Sequence, residues 1–216
     1  MQQKDNKQKD LVIFQWAVSF IAVAFVIVAI FFTRPAPAVR LPGEPNRVRT
    51  LGDFRLTDRT GRVVSRAELQ NSYLVVNFVF TSCSISCLQV NQRMAEVQRL
   101  VSCRVDVRLV SFTVDPGTDT PQTLAQFGEK FGADTNRWLL LTGDKRMLYE
   151  LIEDSFLKRD PTITTGGMPG GFVGTDRIVL VDGSGKIRKY FDGFNPATPE
   201  AVLASLNNLK QENKKP

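Results

Sequence analysis

The stretch LVVNFVFTSCSISCLQV, from Leu74 to Val90, decides the fold of this chain. It begins with a run of β-branched and aromatic residues, and a short apolar run of this kind is typical of a strand buried on both faces. The run ends at Thr81, and from Cys87 onward apolar residues recur at helical spacing. The sequence therefore predicts a strand, a turn and a helix, with Cys83 at the helix N-terminus and Cys87 one turn further in.

The predicted position of Cys83 favours an ionised thiol. Unpaired backbone N–H groups and the helix dipole stabilise a thiolate at a helix start, where it can act as a nucleophile or a metal ligand. Residues four apart share one helix face, with about 5–6 Å between Cβ atoms, and a disulfide needs about 3.8 Å. Cys83 and Cys87 are therefore candidates for a redox pair or for two ligands of a soft metal ion. The alternative is that both are small buried core residues.

The composition excludes several classes of site. The 216 residues carry a net charge of +6, but the basic residues are scattered, so nucleic-acid binding is not expected. The chain has no histidine, which excludes Cys-His and Ser-His mechanisms and imidazole metal sites. Its three cysteines cannot form a Cys₄ zinc site. Cys103 is left over if the other two pair, and we expect it to pack at a helix-to-strand junction; the alternative is a third redox partner.

The N-terminal part of the chain predicts a membrane anchor. Residues 1–10 form a polar tail, and residues 11–32 are uncharged and almost wholly apolar. At about 1.5 Å per residue the apolar run spans roughly 33 Å, enough to cross a bilayer core of about 30 Å. It is longer than the apolar region of a signal peptide and no clean A-x-A site follows it, which favours an uncleaved single span. Basic residues flank both ends, so charge does not decide the orientation.

The remaining residues predict a spacer, one domain and a short tail. Residues 33–50 contain four prolines and form a semi-stiff linker. Residues 51–210 alternate strands and helices between an early hairpin and a late one, which predicts an α/β sandwich with the cysteines at the carboxyl end of a central strand. A glycine-rich loop covers residues 158–176, and residues 211–216 form a polar tail. Further strands are expected over Val107–Val114, Leu139–Leu141, Ile178–Val181 and Ile187–Phe191. Helices are expected after the capping residues Thr120 and Asp144, and a last helix from Thr198. The helix after Asp144 carries the apolar residues Met147, Leu148, Leu151 and Ile152.

The order of these segments resembles that of the Sco family, also called SenC or PrrC, from about Asp53 to Phe191. NFVFTSCSISC is similar to the family's F-x-F-T-x-C-P-x-x-C, and SFTVDPGTDTPQTLAQF to its strand, Asp-Pro turn and Asp-Thr-Pro helix. DFRLTDRTGRVVSRAEL, WLLLTGD and RIVLVDGSGKI match as well. Ordinary thioredoxins have two residues between their cysteines and this chain has three. The resemblance implies a thioredoxin-like α/β sandwich behind a transmembrane helix.

The resemblance also implies a function. Members of the family bind copper through two cysteines and a histidine and help to assemble the copper site of cytochrome c oxidase, and some reduce disulfides. By resemblance, Cys83 and Cys87 are the redox and copper-binding residues. The partner would be a cytochrome c oxidase subunit or another thiol or copper protein, and the soluble domain would lie outside the cytoplasm.

The chain departs from the family pattern at two places. The family histidine lies just before the strand at Ile178, where this chain has Gly174, Thr175 and Asp176, and Ser84 replaces the usual proline. The His-Cys₂ copper site therefore cannot form. Two thiolates can still hold Cu(I), a soft ion that accepts low coordination, whereas Cu(II) should bind poorly. Met168 is a candidate third ligand, although an ordinary loop or core side chain is the favoured interpretation.

Three functions stay open at this point. The first is a Sco-like protein that transfers Cu(I) or reduces disulfides, with Cys83 as the attacking thiol and Cys87 as the resolving one. The second is a non-enzymatic assembly scaffold that uses neither thiol. The third is a peroxiredoxin-like peroxidase, which is disfavoured because its P-x-x-x-T-x-x-C motif is absent.

Overall fold

A seven-stranded mixed β-sheet forms the centre of the described structure. The structure is a computed structural model that describes residues 49–82, 85–157 and 176–212, without the side chains of residues 85–87. The strands are β1 (Arg55–Asp58), β2 (Val63–Ser65), β3 (Tyr73–Val79), β4 (Val107–Thr113), β5 (Trp138–Thr142), β6 (Arg177–Val181) and β7 (Ile187–Asp192). They follow the order β2-β1-β5-β4-β3-β6-β7 across the sheet. The pairs β3–β4 and β4–β5 are parallel, and the other neighbours are antiparallel.

The helices begin where the sequence places capping residues. The Thr120 side chain accepts a hydrogen bond from the Thr123 N–H (3.2 Å), and Asp144 accepts one from the Met147 N–H (3.0 Å). Both predicted N-caps are thereby confirmed. The helices are α1 (Ile85–Leu100), α2 (Pro121–Lys130), α3 (Lys145–Ile152) and α4 (Thr198–Glu212), with a 3₁₀ helix at Arg66–Leu69 and a π-helical turn at Glu153–Leu157.

The sheet separates two apolar layers. On one face, residues of α1, α2 and α4 such as Met94, Leu124 and Leu206 pack against the strands. On the other face, α3 and the π-helical turn pack through Leu148 and Phe156. Successive residues of a strand point to opposite faces, so the strands buried between the layers are mainly apolar on both sides. The predicted α/β sandwich is confirmed.

Several boundaries differ from the prediction. Met147 was grouped with the apolar residues of α3, but 51% of it is exposed because it lies in the first turn, at the margin of the buried face formed by Leu148, Leu151 and Ile152. α4 continues to Glu212, two residues into the expected tail. None of the helices in the described ranges is long and apolar enough to cross a bilayer. The predicted anchor and the linker up to residue 48 lie outside those ranges.

Candidate functional site

One edge of the sheet gathers the strand ends that surround the cysteine segment. All seven residues of β3 are buried, and β3 lies between the parallel strand β4 and the antiparallel strand β6. β3, β4 and β5 end at this edge, whereas β6 begins there and β7 ends there. We call it the carboxyl edge; Val79, Thr113, Thr142, Arg177 and Asp192 mark it.

The cysteine segment joins β3 to α1 at the carboxyl edge. β3 ends at Val79 and α1 begins at Ile85, so Cys87 is the third residue of the helix. The predicted order of strand, turn and helix is confirmed. Cys83 and Ser84 lie outside the described residues, as does the Cys87 side chain. The roles of the two thiols therefore stay predictions.

A buried carboxylate holds the turn ahead of Cys83. Asp119 is fully buried, and its Oδ1 accepts hydrogen bonds from the backbone N–H of Thr81 (3.1 Å) and from Thr81 Oγ1 (2.5 Å). Its Oδ2 accepts a third from Thr113 Oγ1 (2.5 Å). The end of β3 and the end of β4 are thus tied to one carboxylate, directly before the N-cap of α2.

The backbone around Asp119 is ordered by the segment that follows β4. The N–H groups of Asp119 and Thr118 both donate to the carbonyl of Asp115, at 2.9 and 3.1 Å. Tyr149 of α3 donates its hydroxyl to the carbonyl of Val114 (2.8 Å). Burial raises the pKa of the Tyr149 hydroxyl, and the negative charge of Asp115 raises it further, so this phenol stays protonated and keeps donating.

A buried chain of polar side chains fixes α1 to the sheet. Asn77 of β3 donates its side-chain amide to Asn91 Oδ1 (3.1 Å), one turn beyond Cys87 in α1. Asn77 Oδ1 in turn accepts from Ser111 Oγ (2.5 Å), which accepts from Trp138 Nε1 (2.8 Å). The chain crosses β3, β4 and β5 and sets the register of α1 against them.

The start of β6 and the end of β7 complete the edge. The Gly193 N–H donates to the carbonyl of Asp176 (2.6 Å), and a Cβ at Gly193 would lie 2.9 Å from the Val90 methyl groups of α1. Only glycine fits this contact without displacing α1. Residues 158–175 precede Asp176 and lie outside the described residues, with Met168, Gly174 and Thr175 among them.

An aromatic cluster includes Phe156, which precedes residues 158–175 in the chain. Phe156, two residues before that segment, contacts Phe78 of β3 edge to face, with ring centroids 5.1 Å apart. Phe112 of β4 lies 6.3 Å from Phe156 and 5.5 Å from Phe54. Both flanks of residues 158–175 are therefore packed on the strands that lead to the carboxyl edge.

Cys103 does not have the packing role predicted for it. It is exposed in the turn after α1, and the neighbouring Val101 fills the buried position instead. α1 has 16 residues and is roughly 24 Å long. Cys103, beyond its last residue, is therefore separated from the start of the helix by about the length of α1. In the described ranges, His, Cys, Asp and Glu form no group of three that suits a metal ion.

Sequence reasoning did not single out Asp119 or Asn77. Asn77 carries a usable signal, because it is the one amide in the otherwise apolar strand segment LVVNFVF. Asp119 is harder to find, since an aspartate ahead of Thr-Pro looks like ordinary helix-start chemistry. Its partners at Thr81 and Thr113 are brought to it only by the pairing of β3 with β4.

The family model described as SCO1/SenC matches residues 42–211. A crystal structure of a SCO1/SenC family lipoprotein from Bacillus anthracis is similar, with 28% identity and a TM-score of 0.66, covering 75% of this chain and 95% of that one. BsSco, described as having a disulfide switch and as a member of the Sco family of cytochrome c oxidase assembly proteins, gives 23% identity and a TM-score of 0.65 over 78% and 97% of the two chains.

A copper-bound structure also shares the fold. ScoI of Bradyrhizobium japonicum with copper bound gives 24% identity and a TM-score of 0.58, covering 75% of this chain and 99% of that one. Together these similarities confirm the predicted thioredoxin-like α/β fold. Because the family model spans most of the domain, from ahead of β1 to the last turns of α4, the chain belongs to the SCO1/SenC family.

Proposed function

We propose that this protein acts in the assembly of the copper site of cytochrome c oxidase, by Cu(I) transfer or disulfide reduction through Cys83 and Cys87. The observation that carries the proposal is the Cys-x₃-Cys pair in the segment between β3 and α1, at the carboxyl edge of the sheet. Family membership supports it, as do the descriptions of BsSco as an oxidase assembly protein and of ScoI as copper-bound.

Copper in this role is cargo, and the donor atoms of the chain favour its monovalent form. Thiolates are soft ligands that suit Cu(I), which accepts two or three donors. The chain has no histidine, so no imidazole can complete a site for Cu(II). Met168 is the candidate for a weak third donor, since a thioether is also a soft ligand.

The reductive alternative uses the same two thiols. The Cys83 thiolate attacks one sulfur of a partner disulfide, which forms a mixed disulfide and releases one partner thiolate. The Cys87 thiolate then attacks the Cys83 sulfur, which releases the second partner thiolate and leaves a Cys83–Cys87 disulfide. Two electrons pass from this protein to the partner, and an external reductant of the dithiol class restores the pair.

The same proposal includes a tether. Residues 1–10 form a short tail, residues 11–32 a single transmembrane anchor and residues 33–50 a linker that carries the domain of residues 51–210, with residues 211–216 behind it. The description of the Bacillus anthracis relative as a lipoprotein is consistent with a membrane-attached domain outside the cytoplasm. A copper and thiol protein in that position would meet an oxidase at the membrane surface.

An anaerobic Cu(I) titration of the reduced soluble domain tests the proposal, with the midpoint potential of the Cys83–Cys87 couple measured on the same sample. We expect one Cu(I) per domain, bound only when both thiols are reduced, and a reversible two-electron couple. The variants Cys83→Ser and Cys87→Ser should lose both properties, whereas Cys103→Ser should keep them. A wild-type domain with neither property would overturn the proposal.

A scaffold without thiol chemistry is the second candidate, and the absence of histidine favours it over a copper carrier of the usual family type. Oxidase assembly in cells that produce the Cys83→Ser/Cys87→Ser double variant separates the two functions. Normal oxidase activity there would favour the scaffold, and loss of activity would favour the thiols.

A further inference from the structure

Neither the proposed Cu(I) transfer nor the proposed disulfide reduction uses the buried carboxylate of Asp119. This carboxylate faces the turn that leads to Cys83. We propose that Asp119 is a positioning residue: it holds Thr81 and thereby fixes the Cys83 thiol relative to the start of α1. This inference rests on the proposed function of Cys83 and Cys87. In this role Asp119 keeps the two cysteines at a separation that lets them close a disulfide or share a metal ion.

The hydrogen bonds to Thr81 fix both its backbone and its side chain. The last backbone bond between β3 and β4 at this edge runs from the Val114 N–H to the carbonyl of Val79 (2.8 Å). Beyond it, the bonds from the Thr81 N–H and Oγ1 to Asp119 Oδ1 continue the connection between the two strands. Cys83 follows Thr81 by two residues, and two residues of extended chain reach at most about 7 Å. By the proposed role, a fixed Thr81 would therefore limit the positions open to the Cys83 backbone.

A carboxylate suits this position better than any neutral side chain. Asp119 accepts from three donors, namely the N–H and Oγ1 of Thr81 and the Oγ1 of Thr113. An ionised carboxylate has about four acceptor sites and no donor, whereas an amide turns one of its two groups into a donor. Since Asp119 is fully buried, water cannot replace a lost acceptor.

The carboxylate is itself held rigidly. The Asp119 N–H donates to the carbonyl of Asp115, and the Asp115 N–H donates to Thr113 Oγ1 at 2.9 Å. Thr120, the next residue, caps α2. A displacement of Thr81 would therefore have to move the end of β4 or the start of α2, both of which are packed in the core.

The experiment compares Asp119→Ala, Asp119→Asn and Thr81→Val with a matched control, Asp58→Ala. Asp58 is also buried and accepts from a threonine N–H (2.7 Å) and the same threonine's hydroxyl (2.6 Å), those of Thr60. It lies at the end of β1, opposite Leu141 of β5, and β1 is separated from β3 by β5 and β4 in the sheet. Its loss removes a similar set of hydrogen bonds away from the cysteines.

Two quantities are measured in the folded proteins at one fixed pH. The first is the equilibrium constant for forming the Cys83–Cys87 disulfide against glutathione. The second is the ratio of the alkylation rates of Cys83 and Cys87 by iodoacetamide, which needs neither copper nor a partner protein. In Asp119→Ala we expect the equilibrium constant to fall about tenfold, as for one lost hydrogen bond to a charged group, and the rate ratio to fall as Cys83 leaves the helix start.

The variants differ in what they remove. Thr81→Val keeps the Asp119 carboxyl group but loses the hydroxyl donor, so it should move both quantities in the same direction by a smaller factor. Asp119→Asn keeps the shape and one acceptor for Thr81 but loses the acceptor for Thr113 Oγ1, so its values should fall between those of the wild type and of Asp119→Ala. Both stay informative if Asp119→Ala does not fold.

The outcomes separate the two proposals. Wild-type values in Asp119→Ala and Thr81→Val, or equal changes in Asp58→Ala, would overturn the positioning role and leave the proposed function intact. If the wild-type domain forms no disulfide and binds no Cu(I), the proposed function fails. The alkylation ratio then still decides whether Asp119 positions Cys83.

Discussion

At the scale of single residues, the three cysteines differ in their position relative to α1. Cys87 is the third residue of α1 and Cys83 precedes the helix by two residues in the sequence, whereas Cys103 is exposed in the turn after the helix. A thiol close to a helix start has its anion stabilised by the helix dipole and free N–H groups, and a thiol beyond the helix end does not. Exposure alone therefore does not make Cys103 the reactive residue.

Thiol reactivity gives the first prediction. In the reduced domain, iodoacetamide should alkylate Cys83 faster than Cys87 and Cys103, because its thiolate fraction is larger at neutral pH. Mass spectrometry of a quenched time course measures the three rates. Cys103→Ser should leave the disulfide-reductase activity unchanged, and Cys83→Ser should abolish it. Equal labelling rates at all three positions would contradict the placement of Cys83 at a helix start.

The residues that could be predicted are those whose signal lies in neighbouring sequence. The cysteine pair, the Thr120 cap and the Asp144 cap are all defined by spacing along one segment; α2 and α3 begin where their caps predict, and α1 begins at Ile85, two residues after Cys83. Asp119 was not predicted because its partner Thr81 is 38 residues away. Cys103 was misplaced because a helix-to-strand turn can bury either of two neighbours, and here Val101 is buried.

At the scale of secondary-structure elements, buried polar groups decide how α1 sits on the sheet. The chain from Trp138 through Ser111 and Asn77 reaches Asn91, and all four residues are almost completely buried. Apolar packing alone tolerates small rotations of a helix, whereas a buried amide pair is satisfied in one register. The pair therefore helps to define where the first turn of α1, with Cys87, lies.

Stability should respond strongly to the loss of that pair. Asn77→Leu leaves the Ser111 hydroxyl without its acceptor and removes the donor to Asn91, so we expect the free energy of unfolding to fall by about 2–4 kcal/mol. Urea denaturation measures the difference. The double variant Asn77→Leu/Asn91→Leu should recover part of the loss, because two apolar side chains can pack together. A loss below about 0.5 kcal/mol in the single variant would show that the amide pair is not a structural anchor.

The β6–β7 hairpin gives a pH-dependent prediction. Burial by itself raises the pKa of Asp182, but hydrogen bonds from Ser184, Arg188 and the backbone N–H of Lys186 outweigh it and leave the pKa below its ordinary value of 3.8. A carboxyl whose pKa is lower in the folded state contributes stability above its unfolded pKa and loses it as pH falls through the folded pKa. The stability of the wild type should therefore fall with acidification in the region below about pH 5.

The matched variant is Asp182→Asn, which keeps the shape of the side chain but does not titrate. Its stability should depend less steeply on pH below about 5, and the two proteins should differ most near neutral pH. Thermal unfolding from pH 3 to pH 7 measures both curves. Parallel curves for the wild type and the variant would show that Asp182 does not carry this part of the acid sensitivity.

Element boundaries could be predicted only within the limits of local signals. The strand expected at Leu139–Leu141 runs from Trp138 to Thr142, because pairing with β4 and β1 extends the apolar triplet at both ends. The 3₁₀ helix at Arg66–Leu69 was missed, since four residues are too few for a periodic pattern. Its capping box from Ser65 to Glu68 is the signal that would have found it.

At the scale of the whole molecule, the family match and the apolar run divide the chain between them. The match covers residues 42–211 and includes every strand of the described sheet, whereas the apolar run of residues 11–32 precedes it. A domain that exchanges thiols or copper with a membrane oxidase would gain from a tether, because the proposed anchor and a linker of about 18 residues would hold it within a short distance of the bilayer. The basic residues on both sides of the apolar run do not decide its orientation in the membrane. The orientation therefore has to be predicted from the proposed function.

We predict that the N-terminal tail is cytoplasmic and that the domain lies in an oxidising compartment. Disulfide exchange at Cys83 and Cys87 as proposed is favoured outside the reducing cytoplasm, and one span then requires the two ends of the chain to lie on opposite sides. Two fusions after Pro216 measure this: a phosphatase active only where disulfides form, and a fluorescent protein that folds only in the cytoplasm. The phosphatase fusion should be active and the fluorescent one dark.

A second pair of fusions placed before residue 11 is the control and should give the reverse pattern. Fluorescence from the fusion after Pro216, with an inactive phosphatase, would place the thiols in the cytoplasm and remove the oxidase-assembly function at the same time.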